Sequence, residues 1–176
     1  MKFNTKVIHA GISPDPSTGA IIPPLFQTST YVLEEVGKTK GFDYSRVSNP
    51  TRQVLENNLA AIEGGQYGIS FASGLSAVDA VFRLLNSGDH VISTDDVYGG
   101  VFRLAEQIYK RFGVTFSYVD SSDPAKIEEA ITPKTRLLWI ETPTNPLLKV
   151  TDLKAAGEIA KRRGLLYGVD STFATP

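Results

Sequence analysis

The sequence contains no cysteine, so neither disulfides nor thiolate metal sites can belong to its design. Its two histidines, His9 and His90, lie far apart and carry no ligand spacing, so each reads as structural or superficial. No stretch approaches the ~18 uninterrupted apolar residues of a membrane span. The opening MKFNTKVIHAG has basic residues but neither the apolar run nor the cleavage site of a leader, and a cytoplasmic protein is expected. Excess charge is missing as well. Eighteen Lys and Arg against 19 Asp and Glu leave a formal charge of -1, which gives no footprint for nucleic acid or an anionic membrane. The basic cluster Lys161-Arg162-Arg163 falls at an expected helix C-terminus, where cations offset the last carbonyls. Nucleotide-binding signatures are absent too: there is no GxxxxGK[ST], and SGLSA is not GxGxxG.

What is present is a regular alternation. Residues 1–48 are rich in Pro, Gly, Ser and Thr, lack sustained periodicity, and read as an extended arm. From Asn49 onward, helical stretches alternate with short apolar runs bounded by Gly, Asp or Pro. Helices are expected over TRQVLENNLAAIE, LSAVDAVFRLLNSG, from about Gly100 through FRLAEQIYKRFG, PAKIEEAI and TDLKAAGEIAKRRG. Strands are expected at YGISFA, HVIST, VTFSYVD, RLLWIE and LLYGVD. Five strands alternating with helices predict an α/β fold with a mostly parallel, doubly wound sheet. Ligands of such sheets bind beyond the C-terminal strand ends. Those ends carry Ser73-Gly74-Leu75, Asp95 through Gly100, Glu141 through Pro146, and Asp170-Ser171-Thr172.

Each of these segments offers chemistry alongside a plainer reading. Ser73-Gly74 opens a helix whose free N–H groups suit a phosphate, although Ser73 is also an ordinary N-cap. Tyr98, next to Gly99-Gly100, could stack on a flat ligand or pack on a neighbouring helix. Asp170 ends an apolar strand, where a carboxylate needs a cationic partner such as a protonated pyridine nitrogen, unless it caps the following turn. Asn145 could donate to a ring oxygen or serve an Asn-Pro turn. Tyr44 and Arg46 lie in DYSRVSNPT, where the arginine could clamp a phosphate or form a surface ion pair.

Taken in order, YSRVSNPTR, FASGLSAVDAV, DDVYGG, ETPTNPLLKVTD and VDSTFATP resemble the Cys/Met-metabolism family of pyridoxal-phosphate (PLP) enzymes over essentially the whole chain. The resemblance implies the large domain of the aspartate-aminotransferase-like fold (fold type I), incomplete here. Residues 1–48 would be an arm contributing to a neighbouring subunit, and residues 49–176 the first part of the PLP-binding domain. It implies pyridoxal 5'-phosphate as cofactor, with Gly74 and Leu75 binding its phosphate, Tyr98 stacking on its ring as the one catalytic candidate of this chain, Asn145 at the ring hydroxyl and Asp170 at the ring nitrogen. Tyr44 and Arg46 would reach the phosphate in a neighbouring subunit of a homotetramer. The implied reactions are γ-elimination or γ-replacement on sulfur amino acids, with cystathionine, or O-acylhomoserine and cysteine, as substrates. Cystathionine β-lyase or methionine γ-lyase activity is the alternative.

Two positions depart mildly from the family pattern, and a third departure is more serious. Leu75 stands where Met is frequent, and Ser171 where Asn is usual. None of the ten lysines, the last being Lys161, matches the family's Schiff-base lysine, and the arginine that grips the substrate carboxylate is also missing. Part of a longer protein is therefore expected, inactive by itself, with a non-catalytic assembly module as the rival reading.

Overall fold

A computed structural model describes all 176 residues, which fall into two compact units, Met1–Phe71 together with Pro176, and Ala72–Thr175. The first unit is mostly irregular, with two helices, α1 (Phe3–His9) and α2 (Pro50–Glu63). Pro50 occupies the first turn of α2, where its missing N–H costs nothing, and the Asn49 side chain accepts from Thr51 N at 2.8 Å. Gly64, at φ +69°, ends the helix in the left-handed conformation. The expectation of an arm without helix needs correction at α1. That short helix is held from outside rather than by its own propensity: Asn58 Nδ2 donates to Val7 O and Ala10 O.

The second unit is built on four parallel strands, β1 (His90–Thr94), β2 (Thr115–Val119), β3 (Thr135–Glu141) and β4 (Leu166–Asp170), in the order β2-β1-β3-β4. The helices are α3 (Gly74–Phe82), α4 (Gly99–Gln107), α5 (Pro124–Glu129) and α6 (Leu153–Arg163). Strand alternation sorts the apolar runs into two layers. Val91, Leu137 and Trp139 pack with Val78, Phe82, Val101 and Ala105 on one face. Ile92, Leu138 and Ile140 pack with Ile127, Ala156 and Ile159 on the other. Both faces of the sheet are therefore covered by helices, as the near-continuous apolar runs predicted.

The fifth expected strand, at residues 67–72, does not form. Its Tyr67, Ile69 and Phe71 imitate a half-buried strand, but the backbone finds a side-chain partner instead of a ladder. Ser70 N and Oγ both donate to Glu56 Oε1, at 2.9 and 2.8 Å. Helix α4 is also shorter than expected. After Gln107 the chain tightens into a 3₁₀ turn, Tyr109–Phe112, closed by Gly113 at φ +84°.

Topology fixes where a ligand can sit. From β1 the chain crosses to β2 on one side, and later elements return to β3 and β4 on the other. The loops leaving β1 and β3 consequently diverge and open a crevice at the C-terminal ends of the strands.

Candidate functional site

A cavity of about 320 Å³ lies in that crevice, walled entirely by the second unit. It brings together five of the sequence-predicted residues: Gly74, Leu75, Tyr98, Asn145 and Asp170. Tyr44 and Arg46 lie in the first unit, where the Arg46 guanidinium sits 4.8 Å from the centroid of the Tyr44 ring. Arg46 has no carboxylate partner, so the stacked geometry replaces the surface ion pair considered above.

The N-terminus of α3 forms part of the cavity wall. Ser73 is extended (φ -156°, ψ 157°), and its Oγ accepts from Ser76 N at 3.2 Å. That single bond satisfies the third N–H of the turn and leaves those of Gly74 and Leu75 without acceptors, directed to the positive end of a nine-residue helix. Ser73 is therefore an N-cap, and the same turn still offers two donors to an anion.

The same cavity also has acidic residues in its wall. Glu141 and Asp170 close β3 and β4 and are register partners, so their side chains leave the sheet on the same face. Asp170 Oδ1 accepts from Thr172 N at 3.1 Å and from Thr172 Oγ1 at 2.6 Å. The turn-capping reading is thus realised with one oxygen, while Oδ2 has no hydrogen-bond partner and no cation pairs with the carboxylate. A half-buried carboxylate left in this way favours a cationic ligand group.

Tyr98 lines the same cavity at the start of α4, 45% exposed. A Cβ on Gly100 would fall 2.3 Å from Tyr98 Cε1, so the ring holds its position because residue 100 has no side chain. The Asn145 side-chain amide makes no hydrogen bond to the protein and borders the cavity, although its backbone is held in the turn that the Asn-Pro sequence suggested.

Sequence reasoning missed Glu141. It is 4% exposed, its Oε2 accepts from Tyr98 N at 2.6 Å and its Oε1 from Asn145 N at 3.0 Å. Burial holds its pKa above the usual carboxylate range, and the neighbouring charges of Asp170 and Asp96 push the same way against those two N–H bonds. The signal was available, since Glu141 closes an apolar strand as Asp170 does. His90, by contrast, is structural as expected. It is buried in the sheet, with Nδ1 2.8 Å from Thr135 Oγ1 and Nε2 2.9 Å from Ser117 Oγ.

Comparison with known proteins identifies the family. Residues 4–176 match the family model described as Cys/Met metabolism PLP-dependent enzyme. A cystathionine gamma-lyase of Bacillus subtilis (strain 168) is 48% identical over 176 residues, which is 100% of this chain and 46% of that protein. A cystathionine beta-lyase of Coxiella burnetii is 49% identical, with 99% and 45% covered. The crystal structure of cystathionine gamma-lyase from Lactobacillus plantarum, complexed with L-serine, superposes with a TM-score of 0.93 at 47% identity, covering 99% of this chain and 45% of that one. The chain thus spans about half the length of the curated relatives it matches.

Proposed function

Because the chain belongs to the Cys/Met-metabolism family of PLP-dependent enzymes, we propose that its cavity is the PLP site of a transsulfuration enzyme acting by γ-elimination or γ-replacement on sulfur amino acids such as cystathionine. The free Oδ2 of Asp170 carries this reading, set in one cavity with the donor-rich end of α3. The residues fit the group at each point of its chemistry. Two unpaired N–H groups suit a phosphate, an exposed tyrosine ring suits a flat heteroaromatic, a free amide suits a phenolic oxygen, and an unpaired carboxylate suits a pyridinium.

When bound, PLP serves as an electron sink for the pair left on the substrate's α-carbon. The chain's own contribution is to bind and to bias charge. Gly74 and Leu75 hold the phosphate through main-chain N–H groups, and for that reason Leu in place of Met changes little. Tyr98 covers one ring face and Asn145 donates to the ring oxygen. Asp170 Oδ2 keeps the ring nitrogen protonated, and Thr172 holds the other oxygen so that the carboxylate cannot swing away. Arg46, resting on Tyr44, is the donor offered to the phosphate of a neighbouring copy in a homotetramer. Exposed apolar residues of the first unit, including Leu25 and Val32 at 75% and 86%, suit such an assembly. No lysine lines the cavity, and residues 1–176 alone are expected to be inactive.

Identities of 48% and 49% to γ-lyase and β-lyase relatives leave the scissile bond to a product assay. With cystathionine, the complete protein is expected to release cysteine, the γ-elimination product; homocysteine would place it with the β-lyases. Asp170→Asn removes the charge while keeping the shape. It should lower turnover by about 100-fold or more, the scale of breaking a buried ion pair. Turnover unchanged in that variant, or a complete protein that binds no PLP, would refute the assignment.

A further inference from the structure

We infer that Glu141 is a positioning residue that locks the ring-stacking and ring-hydrogen-bonding loops to each other, so that Tyr98 and Asn145 meet the cofactor as one preset pair. The inference rests on the PLP reading above and deepens it.

The two acidic residues at the strand ends are not redundant. Asp170 spends one oxygen on Thr172 and keeps the other free for the cavity. Glu141 engages both oxygens with main-chain N–H groups, one belonging to Tyr98 and one to Asn145. The two N–H groups belong to segments 47 residues apart in sequence, which leave different strands and diverge. A carboxylate, accepting at both ends and donating at neither, is the smallest side chain that can bridge two such donors.

Glu141 is itself fixed. Its own N–H donates to Thr94 Oγ1 at 3.1 Å, and that hydroxyl begins a buried chain through Ser121 to Thr151, with separations of 3.1 and 2.6 Å. No cation faces the carboxylate, although it is 4% exposed. The fold therefore carries a buried acid without an ion pair, and the hydrogen bonds from the two loops it ties offset the cost of burying it. A second tie keeps those loops attached when Glu141 is changed: Asp96 Oδ2 accepts from Thr144 Oγ1 at 2.5 Å and from Leu147 N at 2.8 Å.

The decisive variant is Glu141→Gln, measured in the complete protein. Glutamine fills the same volume but offers one acceptor, so its NH₂ must face one of the two N–H groups. If Glu141 merely fills space, glutamine restores wild-type behaviour. If it positions both loops, PLP binds about tenfold more weakly or worse in the variant, the scale of one buried donor left unpaired, while the far-ultraviolet circular dichroism spectrum of the PLP-free variant stays that of the wild type. Wild-type PLP affinity in Glu141→Gln overturns the inference and leaves the PLP reading standing; a wild-type protein that binds no PLP defeats the PLP reading itself. Hydrogen exchange on the unmodified PLP-free protein gives a check independent of variant folding. The Tyr98 and Asn145 amides should both be protected, and rapid exchange at either one also overturns the inference.

Discussion

At the scale of single residues, the site depends as much on atoms that are missing as on those present. Gly100→Ala adds one methyl in the first turn of α4, where alanine is the better helix former by about 1 kcal/mol. The helix should survive. The tyrosine ring cannot stay, because the new Cβ would sit 2.3 Å from it. Ring stacking of this kind contributes about 0.5–1.5 kcal/mol, so PLP titration should find binding weakened up to about tenfold, with an unchanged far-ultraviolet circular dichroism spectrum. Unaltered affinity would mean that Tyr98 does not meet the cofactor through its ring. The sequence made Tyr98, Asn145 and Asp170 legible because each is an oddity in its local setting: an aromatic beside two glycines, an amide before a proline, an acid ending an apolar run. Glu141 has the same signature as Asp170 and stayed illegible in role, because its partners are backbone N–H groups of remote loops, and no pattern of side chains announces those.

At the scale of elements, the strands that were read correctly are those with a place in a ladder and a helix on each face. The apolar run LLWI of β3 alternates between two cores, Leu137 and Trp139 on one side, Leu138 and Ile140 on the other. Segment 67–72 has a comparable pattern but its main chain is bonded to Glu56, a choice settled by tertiary context rather than by propensity. The same dependence makes β3 and β4 sensitive to volume. Gly168 faces Trp139 across the ladder, and a Cβ there would lie 2.7 Å from Cε3 and 2.8 Å from Cζ3 of the indole. Trp139 cannot retreat, since its ring meets Phe82 edge-on at 5.5 Å and it is 4% exposed. Gly168→Ala should therefore destabilise the protein by about 1–3 kcal/mol, the usual range for overpacking, read as a lower urea midpoint. An unchanged midpoint would mean that the indole can shift at no cost.

At the scale of the whole molecule, acid sensitivity follows from one histidine that joins three strands. His90, at the start of β1, is bonded to Thr135 at the start of β3 and to Ser117 in β2. Burial lowers its pKa from the usual 6.5, so the fold favours the neutral ring. The sign of the pH effect follows from linkage. As pH falls through about 6.5 the unfolded chain takes up a proton that the folded chain refuses, and stability is lost from there down to the folded-state pKa. Glu141 acts in the opposite sense, because its raised pKa means that the fold gains stability as that carboxyl is protonated. Separating the two requires removing the imidazole. The melting temperature of the unmodified protein should drop between about pH 7 and pH 5.5, within the range where only histidine ordinarily titrates. His90→Gln should melt lower throughout, by the loss of about 1–3 kcal/mol of buried packing and hydrogen bonding. Across the same interval it should no longer show that drop. A variant that retains the full slope would move the acid sensitivity from the sheet to its loops.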